Sequence, residues 1–291
     1  MRKSIKVRGV NKTINNKLIL DNINFDIYEG EIVGLVGKNG SGKSTLMKIM
    51  SGLYSYDNGE IYYYDYNLKK DYEKAISIVG TLIESPDLYR DLSGSENLKI
   101  FKKMFKNIDE EQIKEIVRIV EMEKFLGRKF KTYSLGMKER LAIATSLINK
   151  PKILILDEPT NGLDNIGIKK LLDLLKNMKD TTILISSHML NEIETICDKV
   201  IFIDNGKIID IKHIKNEDNK KRVIFEVDDY SRARLLIRNY CINEELEIYE
   251  TDETIGKITR ELINNNINVY RIYENKSSLE HDFIRMVNKD D

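Results

Sequence analysis

The run Gly37-Lys38-Asn39-Gly40-Ser41-Gly42-Lys43-Ser44 fits the phosphate-binding pattern G-x-x-x-x-G-K-[ST] at every fixed position. The glycines permit a tight turn whose backbone N–H groups converge on an anion, and the start of a following helix adds a favourable dipole. Lys43 is placed to reach β- and γ-phosphates, and Ser44 supplies a hard hydroxyl oxygen for Mg²⁺. A second constellation lies downstream, where the apolar run Ile153-Leu154-Ile155-Leu156 ends in Asp157-Glu158. A buried parallel strand that delivers acids at its carboxyl edge has this form. Neighbouring acids on a strand face opposite ways, so one can hold Mg²⁺ through water while the other orients or deprotonates an attacking water. Alone, the pair reads equally well as two capping carboxylates at the exit of a core strand. A phosphate loop in the same chain favours phosphoryl transfer to water. A third run, Thr181 to Ser187, ends at His188, one of three histidines. At the same sheet edge a His donor can sense the γ-phosphate and hold the water, although a lone His is as often structural.

These residues need elements to position them. Glu31 to Val36 reads as a short apolar strand feeding the loop, and Ser44 to Met50 as the helix leaving it. Ser93-Gly94-Ser95-Glu96 is a capping-box start for a helix with Leu98, Phe101 and Phe105 on one face. Ile113, Ile116, Val117 and Val120 repeat at helical spacing in a charged background, so a helical insert separates the two halves of the site. Their apolar side chains are core by the simpler reading and a groove for a membrane partner's helix by the sharper one. Tyr62-Tyr63-Tyr64-Asp65-Tyr66 invites a base-stacking role. Asn58-Gly59-Glu60 ahead of it reads as a hairpin turn, however, and tyrosines favour strands, so a surface β-strand is the expectation.

A length of 291 residues suggests one large domain and a smaller one. Lys plus Arg and Asp plus Glu balance at 47 each, which removes the global basic field that gathers nucleic acid. Cys197 and Cys241 are far apart in a large chain and fit reduced thiols. No apolar stretch approaches the roughly 18 to 20 residues that span a bilayer, and Met1 to Lys6 precedes no apolar signal region. A soluble, cytoplasmic chain is expected. From Lys212 to Arg222 the sequence is rich in charge and Asn, as a linker is. Beyond it, strand-like Val223 to Val227, a helix through Leu235 to Ile237, a strand around Leu246 and Ile248, a helix with Ile255, Ile258 and Leu262, and a strand from Ile267 to Tyr273 alternate. Ser277 and Glu280 form a capping box for a last helix, on which His281 reads as a surface residue. This pattern suggests a small α/β sandwich without a catalytic cluster.

Tyr133-Ser134-Leu135-Gly136-Met137-Lys138-Glu139-Arg140-Leu141 resembles, in diverged form, the signature sequence of ATP-binding-cassette (ABC) ATPases. Asp157-Glu158-Pro159-Thr160-Asn161-Gly162-Leu163-Asp164 resembles that family's second acidic motif running into its D-loop, and Ser187-His188 its switch histidine. The likeness covers residue 1 to about residue 212, with the motifs in the family's order. It implies an α/β P-loop NTPase fold, with a RecA-like core, an antiparallel β subdomain and a helical subdomain in residues 1–212, and a small α/β domain in residues 213–291.

The resemblance further implies that ATP with Mg²⁺ is held by Gly37, Lys38, Asn39, Gly40, Ser41, Gly42, Lys43, Ser44 and Thr45 of one copy and by Ser134, Leu135, Gly136, Met137 and Asp164 of a second copy paired head to tail. Ser44, Asp157 and Glu84 become the metal residues, Glu158 the catalytic base and His188 its catalytic partner. Two positions depart from the family: Ile14 stands where an aromatic residue stacks on adenine, and Glu84 where a Gln touches Mg²⁺. A carboxylate can still ligate Mg²⁺. The segments Gly80 to Tyr89 and Tyr133 to Lys138 resemble the subfamily of bacitracin-resistance, lantibiotic-immunity and modulin-type peptide exporters. That likeness implies an ATPase at the cytoplasmic face of the membrane, working with a separate multi-spanning permease and no nucleic acid. The alternative is a soluble ABC ATPase acting as an assembly or translation factor. The 91 residues from Lys43 to Ser134, without sustained heptads, argue against chromosome-maintenance relatives.

Overall fold

The computed structural model describes residues 2–83, 88–105, 108–178, 180–188, 193–214, 220–241 and 246–274. The chain divides into two compact units, Met1–Ile214 and Lys215–Asp291.

The first unit opens with two long antiparallel strands, β1 (Lys3–Ile14) and β2 (Lys17–Tyr28). They are joined through Asn15 and Asn16, both left-handed (φ 49° and 60°), the backbone that a two-residue hairpin turn requires and Asn tolerates. β4 (Asn58–Tyr63) and the short β5 (Tyr66–Asn67) complete a sheet of order β2-β1-β4-β5. The expected turn at Asn58-Gly59-Glu60 is therefore strand. Gly59 sits there at φ 97° because β4 closes on β1: a Cβ at Gly59 would lie 2.5 Å from the Gly9 carbonyl oxygen. The turn falls instead at Tyr64-Asp65, and Tyr63 is fully buried with its hydroxyl donating to the Met50 carbonyl, so the tyrosine strand is half core rather than surface.

The second sheet, of order β10-β9-β3-β8-β7-β6, carries the chemistry. It comprises β3 (Ile32–Val36), β6 (Val79–Leu82), β7 (Ile153–Leu156), β8 (Thr182–Ser187), β9 (Lys199–Asp204) and β10 (Lys207–His213). All are parallel to their neighbours except β10, which runs antiparallel to β9. β3, β7 and β8 are buried at every position, hence the apolar runs of β3 and β7 and of Ile183 to Ile185 within β8. Register sets the site: Leu156 pairs with Ile185 and Val36 with Ser187, so the residues that follow β3, β7 and β8 meet at one carboxyl edge. Helix α1 (Lys43–Met50) leaves that edge and buries Leu46, Met47, Ile49 and Met50 against Ile5, Val7, Leu20, Ile23 and Phe25. This shared core joins the two sheets. Truncating any one of its Leu or Ile side chains to Ala removes about 2–5 kcal/mol.

After the short helix α2 (Tyr72–Ser77) come α3 (Gly94–Lys102), α4 (Glu110–Ile119) and α5 (Leu135–Ser146). The Ser93–Glu96 capping box starts α3 as its residues specify. α3 ends at Lys102, however, so Phe105 lies past its last turn and is 38% exposed rather than on the Leu98 face. Ile116, Val117 and Val120 are buried. α6 (Asn165–Lys176) links the acidic strand to β8.

The second unit is a three-stranded antiparallel sheet of order β12-β11-β13, made of β11 (Lys220–Val227), β12 (Glu247–Thr251) and β13 (Val269–Glu274). Helices α7 (Tyr230–Leu236) and α8 (Asp252–Asn264) supply Ala233, Ile258 and Leu262 to one core with Val223, Phe225 and Ile248. Ser277, Glu280 and His281 lie outside the described residues. Neither cysteine is in a disulfide.

Candidate functional site

The loop from Gly37 to Gly42 bridges β3 and α1, with Gly42 at the helix N-cap in the left-handed region (φ 109°). A side chain there is strained by that φ, and its Cβ would lie 2.8 Å from Leu20 Cδ2. No side chain caps α1 and no acid occupies its first turn, so its N–H groups and positive end are not neutralised from within. Ser41 Oγ is buried with no hydrogen-bond partner. A loop of this construction fits a phosphate, which would supply the missing acceptors. Lys38, Asn39 and Gly40 are exposed at its rim, Ser44 is exposed on the first helical turn and Thr45 is half-buried behind it.

Lys43 is 5% exposed and folds back on its own loop, donating to the carbonyls of Gly37 (2.7 Å) and Lys38 (3.2 Å). Its Nζ also lies 3.5 Å from Glu158 Oε1. The other Glu158 oxygen meets His188 Nδ1 at 2.5 Å. Lys43 comes from the start of α1, and Glu158 and His188 from just beyond β7 and β8. The carboxylate is 16% exposed and His188 39%, so the imidazole forms the wet side of the cluster.

β7 stops at Leu156, so the strand alternation expected of Asp157 and Glu158 does not apply. Asp157 is buried and its Oδ1 accepts from Ser186 Oγ at 2.6 Å. Glu158 turns into the left-handed region (φ 51°), an uncommon place for a residue with a long side chain, and its N–H donates to the same Ser186 Oγ at 2.8 Å. The bend gives the two carboxylates different environments: Asp157 is held in the sheet, Glu158 beside Lys43 and His188. Ser44 and Asp157 present the hard oxygens that suit Mg²⁺. Glu84 lies outside the described residues. Ser186 has no assigned role in the sequence reading. Its one signal in the sequence is a hydroxyl directly after the apolar run Ile183-Leu184-Ile185, two residues before the histidine.

The signature residues form a second, separate cluster. Ser134 caps α5, accepting from the Met137 N–H at 3.4 Å, and Asp164 caps α6, accepting from the Gly167 N–H at 2.9 Å. Leu135, 41% exposed, leans over the D-loop: a Cβ at Gly162 would meet its Cδ2 at 2.5 Å. A cavity of about 490 Å³ is lined by Ser134, Leu135, Gly136, Met137 and Asp164 with Arg140, Lys170 and others. None of Gly37–Thr45 lines it. Ile14 closes β1 and pairs with Lys17.

A phosphate loop opening α1 at the carboxyl edge of a parallel sheet, with two acids delivered at the same edge by β7, one strand beyond β8, defines a P-loop nucleoside triphosphatase. The ABC transporter family matches residues 20–161. The chain is 34% identical over 295 residues to the bacitracin transport ATP-binding protein BcrA of Enterococcus faecalis, covering 97% of this chain and 96% of the relative. It is 40% identical over 230 residues to the lantibiotic transport ATP-binding protein SrtF of Streptococcus pyogenes, covering 76% of this chain and 98% of that one. Among solved structures it resembles the ATP-binding cassette MJ0796, a dimer in a post-hydrolysis state bound to ADP and Pi, with a TM-score of 0.65, 26% identity and coverage of 73% and 99%. The chain belongs to the ABC transporter family, as one of its ATP-binding and ATP-hydrolysing proteins. Among the described residues no helix is long and apolar enough to cross a membrane.

Proposed function

We propose that this ATPase powers export of an antimicrobial or toxic peptide through a separate multi-spanning membrane subunit, docked at the cytoplasmic face of the membrane and paired head to tail with a second cassette. Likeness to proteins named for bacitracin and lantibiotic transport supports the cargo class. The observation that carries the chemistry is the convergence of Lys43, Glu158 and His188, with Glu158 at 3.5 Å and 2.5 Å from the other two.

The loop Gly37–Thr45 binds the triphosphate through backbone N–H groups. Lys43, released from the Gly37 and Lys38 carbonyls, turns to its β- and γ-oxygens. Ser44 and Asp157 are the residues that would hold Mg²⁺, which neutralises charge on the phosphate oxygens when bound. Glu158 accepts the proton of the attacking water and His188 holds the water and γ-phosphate in place. Ser134, Leu135, Gly136, Met137 and Asp164 of the second copy close the site. Their own copy keeps them in a cavity that lacks the phosphate loop, and this separation favours a site shared between copies. ATP then closes the dimer because it contacts both halves only in the closed state.

Glu158→Gln is expected to lower turnover by about 10²–10⁴-fold while leaving an ATP-bound dimer detectable by size-exclusion chromatography. Unchanged steady-state hydrolysis would refute the assignment of the base. For the transport role, tagging the chain in its native cell and identifying its stoichiometric partner by mass spectrometry should return a multi-spanning membrane protein. A ribosomal or cluster-assembly partner would reassign the job.

A further inference from the structure

We propose that Ser186 is a positioning residue of the hydrolytic site, its single hydroxyl orienting the Asp157 carboxylate and the Glu158 backbone at once. Leu156 and Ile185 are paired in the parallel β7–β8 ladder, so the next residue on each strand, Asp157 and Ser186, stand side by side at the carboxyl edge. Ser186 is fully buried. A hydroxyl has one proton to give and lone pairs to receive. Here the proton goes to Asp157 Oδ1 at 2.6 Å, and a lone pair receives the Glu158 N–H at 2.8 Å.

The second bond matters because of the backbone it holds. Glu158 lies at φ 51°, and a non-glycine residue persists there only when its surroundings over-determine it. Four restraints act on this residue: Ser186 on its N–H, the Asn161 N–H on its carbonyl at 3.1 Å, Lys43 on Oε1 and His188 on Oε2. The Lys43 contact must loosen when that lysine turns to phosphate, whereas the Ser186 bond to the Glu158 N–H does not depend on that lysine. Without it, Asp157 Oδ1 loses a donor inside the protein, the bend relaxes, and both acids move from the positions that metal binding and water activation need. Ser186 follows Ile183, Leu184 and Ile185, and a hydroxyl buried to this depth at the end of an apolar run is stabilised by the hydrogen bonds it makes.

This inference rests on the reading of Asp157 as metal residue and Glu158 as base, so Glu158→Gln is measured beside it. The full-length chain and its Ser186→Ala and Ser186→Cys variants are compared in kcat, KM for ATP, melting temperature and equilibrium binding of a fluorescent ATP analogue with and without Mg²⁺. Both Ser186 variants are expected to lower kcat by about 10–100-fold and to raise KM for ATP only by the factor that Mg²⁺ contributes to affinity. Both should lose the gain in analogue affinity that Mg²⁺ confers and keep the Mg²⁺-free affinity, which the phosphate loop provides. Ser186→Cys keeps the volume and weakens the hydrogen bonds, so it decides the matter where the Ala variant melts early. If either folded variant keeps kcat and the Mg²⁺ effect within about twofold, positioning by Ser186 is overturned. A Glu158→Gln variant that still turns over overturns the reading of the base instead.

Discussion

Glu158 sits where opposing demands meet. As the proposed base, it has to be held in place and still reach water. The structure meets this with Lys43 on one oxygen and His188 on the other, at an edge that is only partly dry. Another carboxylate of the signature helix shows the opposite treatment. Glu139 is buried, its Oε2 has no hydrogen-bond partner, and burial pushes its carboxyl up to about 7 from 4.5. Between those two values the folded chain holds a proton that the unfolded chain has released, so stability falls as pH rises through this window and stays lower above it. Glu139→Gln removes the titration. Its melting temperature should match that of the unmodified protein near pH 5 and exceed it near pH 8, by at most about 3 kcal/mol of stability. An equal difference at both pH values would mean that Glu139 is ionised throughout.

Four helices of the first unit begin with side chains that fill an open N–H group, Ser93 on α3, Asp109 on α4, Ser134 on α5 and Asp164 on α6. α1 and α2 lack such a cap; α2 carries Glu73 in its first turn, whereas α1 begins on a glycine with no acid in its first turn. Capping the first four and leaving α1 open directs the anion to one place. Asp164 serves as a cap in its own copy, and by the proposed dimer also as a contact across the interface; one substitution separates the two. Asn caps as well as Asp, whereas Ala costs about 1 kcal/mol. Asp164→Ala should therefore melt lower and Asp164→Asn should not. If the charge acts across the dimer, Asp164→Asn still loses about tenfold in ATP hydrolysis, the value of one charge-assisted hydrogen bond. Full activity in that variant would leave Asp164 as a cap and nothing more.

Among the described residues, the two units have separate cores. The first runs from Ile5 to Ile203 in sequence and the second from Val223 to Ile267, with no residue in common. Each can bury its own apolar surface, so removing residues 214–291 is expected to leave a folded cassette that binds ATP with unchanged affinity. ATP at a hundred times its Kd should stabilise fragment and full chain alike, by about 2.7 kcal/mol. The proposed role of the second unit is dimer stabilisation or regulation, and a weaker ATP-driven dimer in the truncated chain, read by light scattering, is the expected result. Identical dimerisation and identical ATPase rates would remove that role.

The sequence by itself determined the parts of the site that are contiguous. The phosphate loop, the Asp157-Glu158 pair, the Ser134 cap and the capping box at Ser93 are each written within a few residues, because turn, cap and strand-exit chemistry is local. The tertiary structure decided what depends on strands meeting. Ser186 touches Asp157 across 29 residues of chain, and no periodicity announces it. The left-handed bend at Glu158, the retraction of Lys43 and the removal of Leu135 and Asp164 to a cavity of their own follow from the register of β3, β7 and β8 and from the packing of α5 on the D-loop. Gly59 marks the same divide: in sequence Asn-Gly reads as a turn, and only the approach of β1, 2.5 Å from where a Cβ would stand, makes it strand. Local propensity chooses among conformations that a residue tolerates, and long-range packing selects the one that is used.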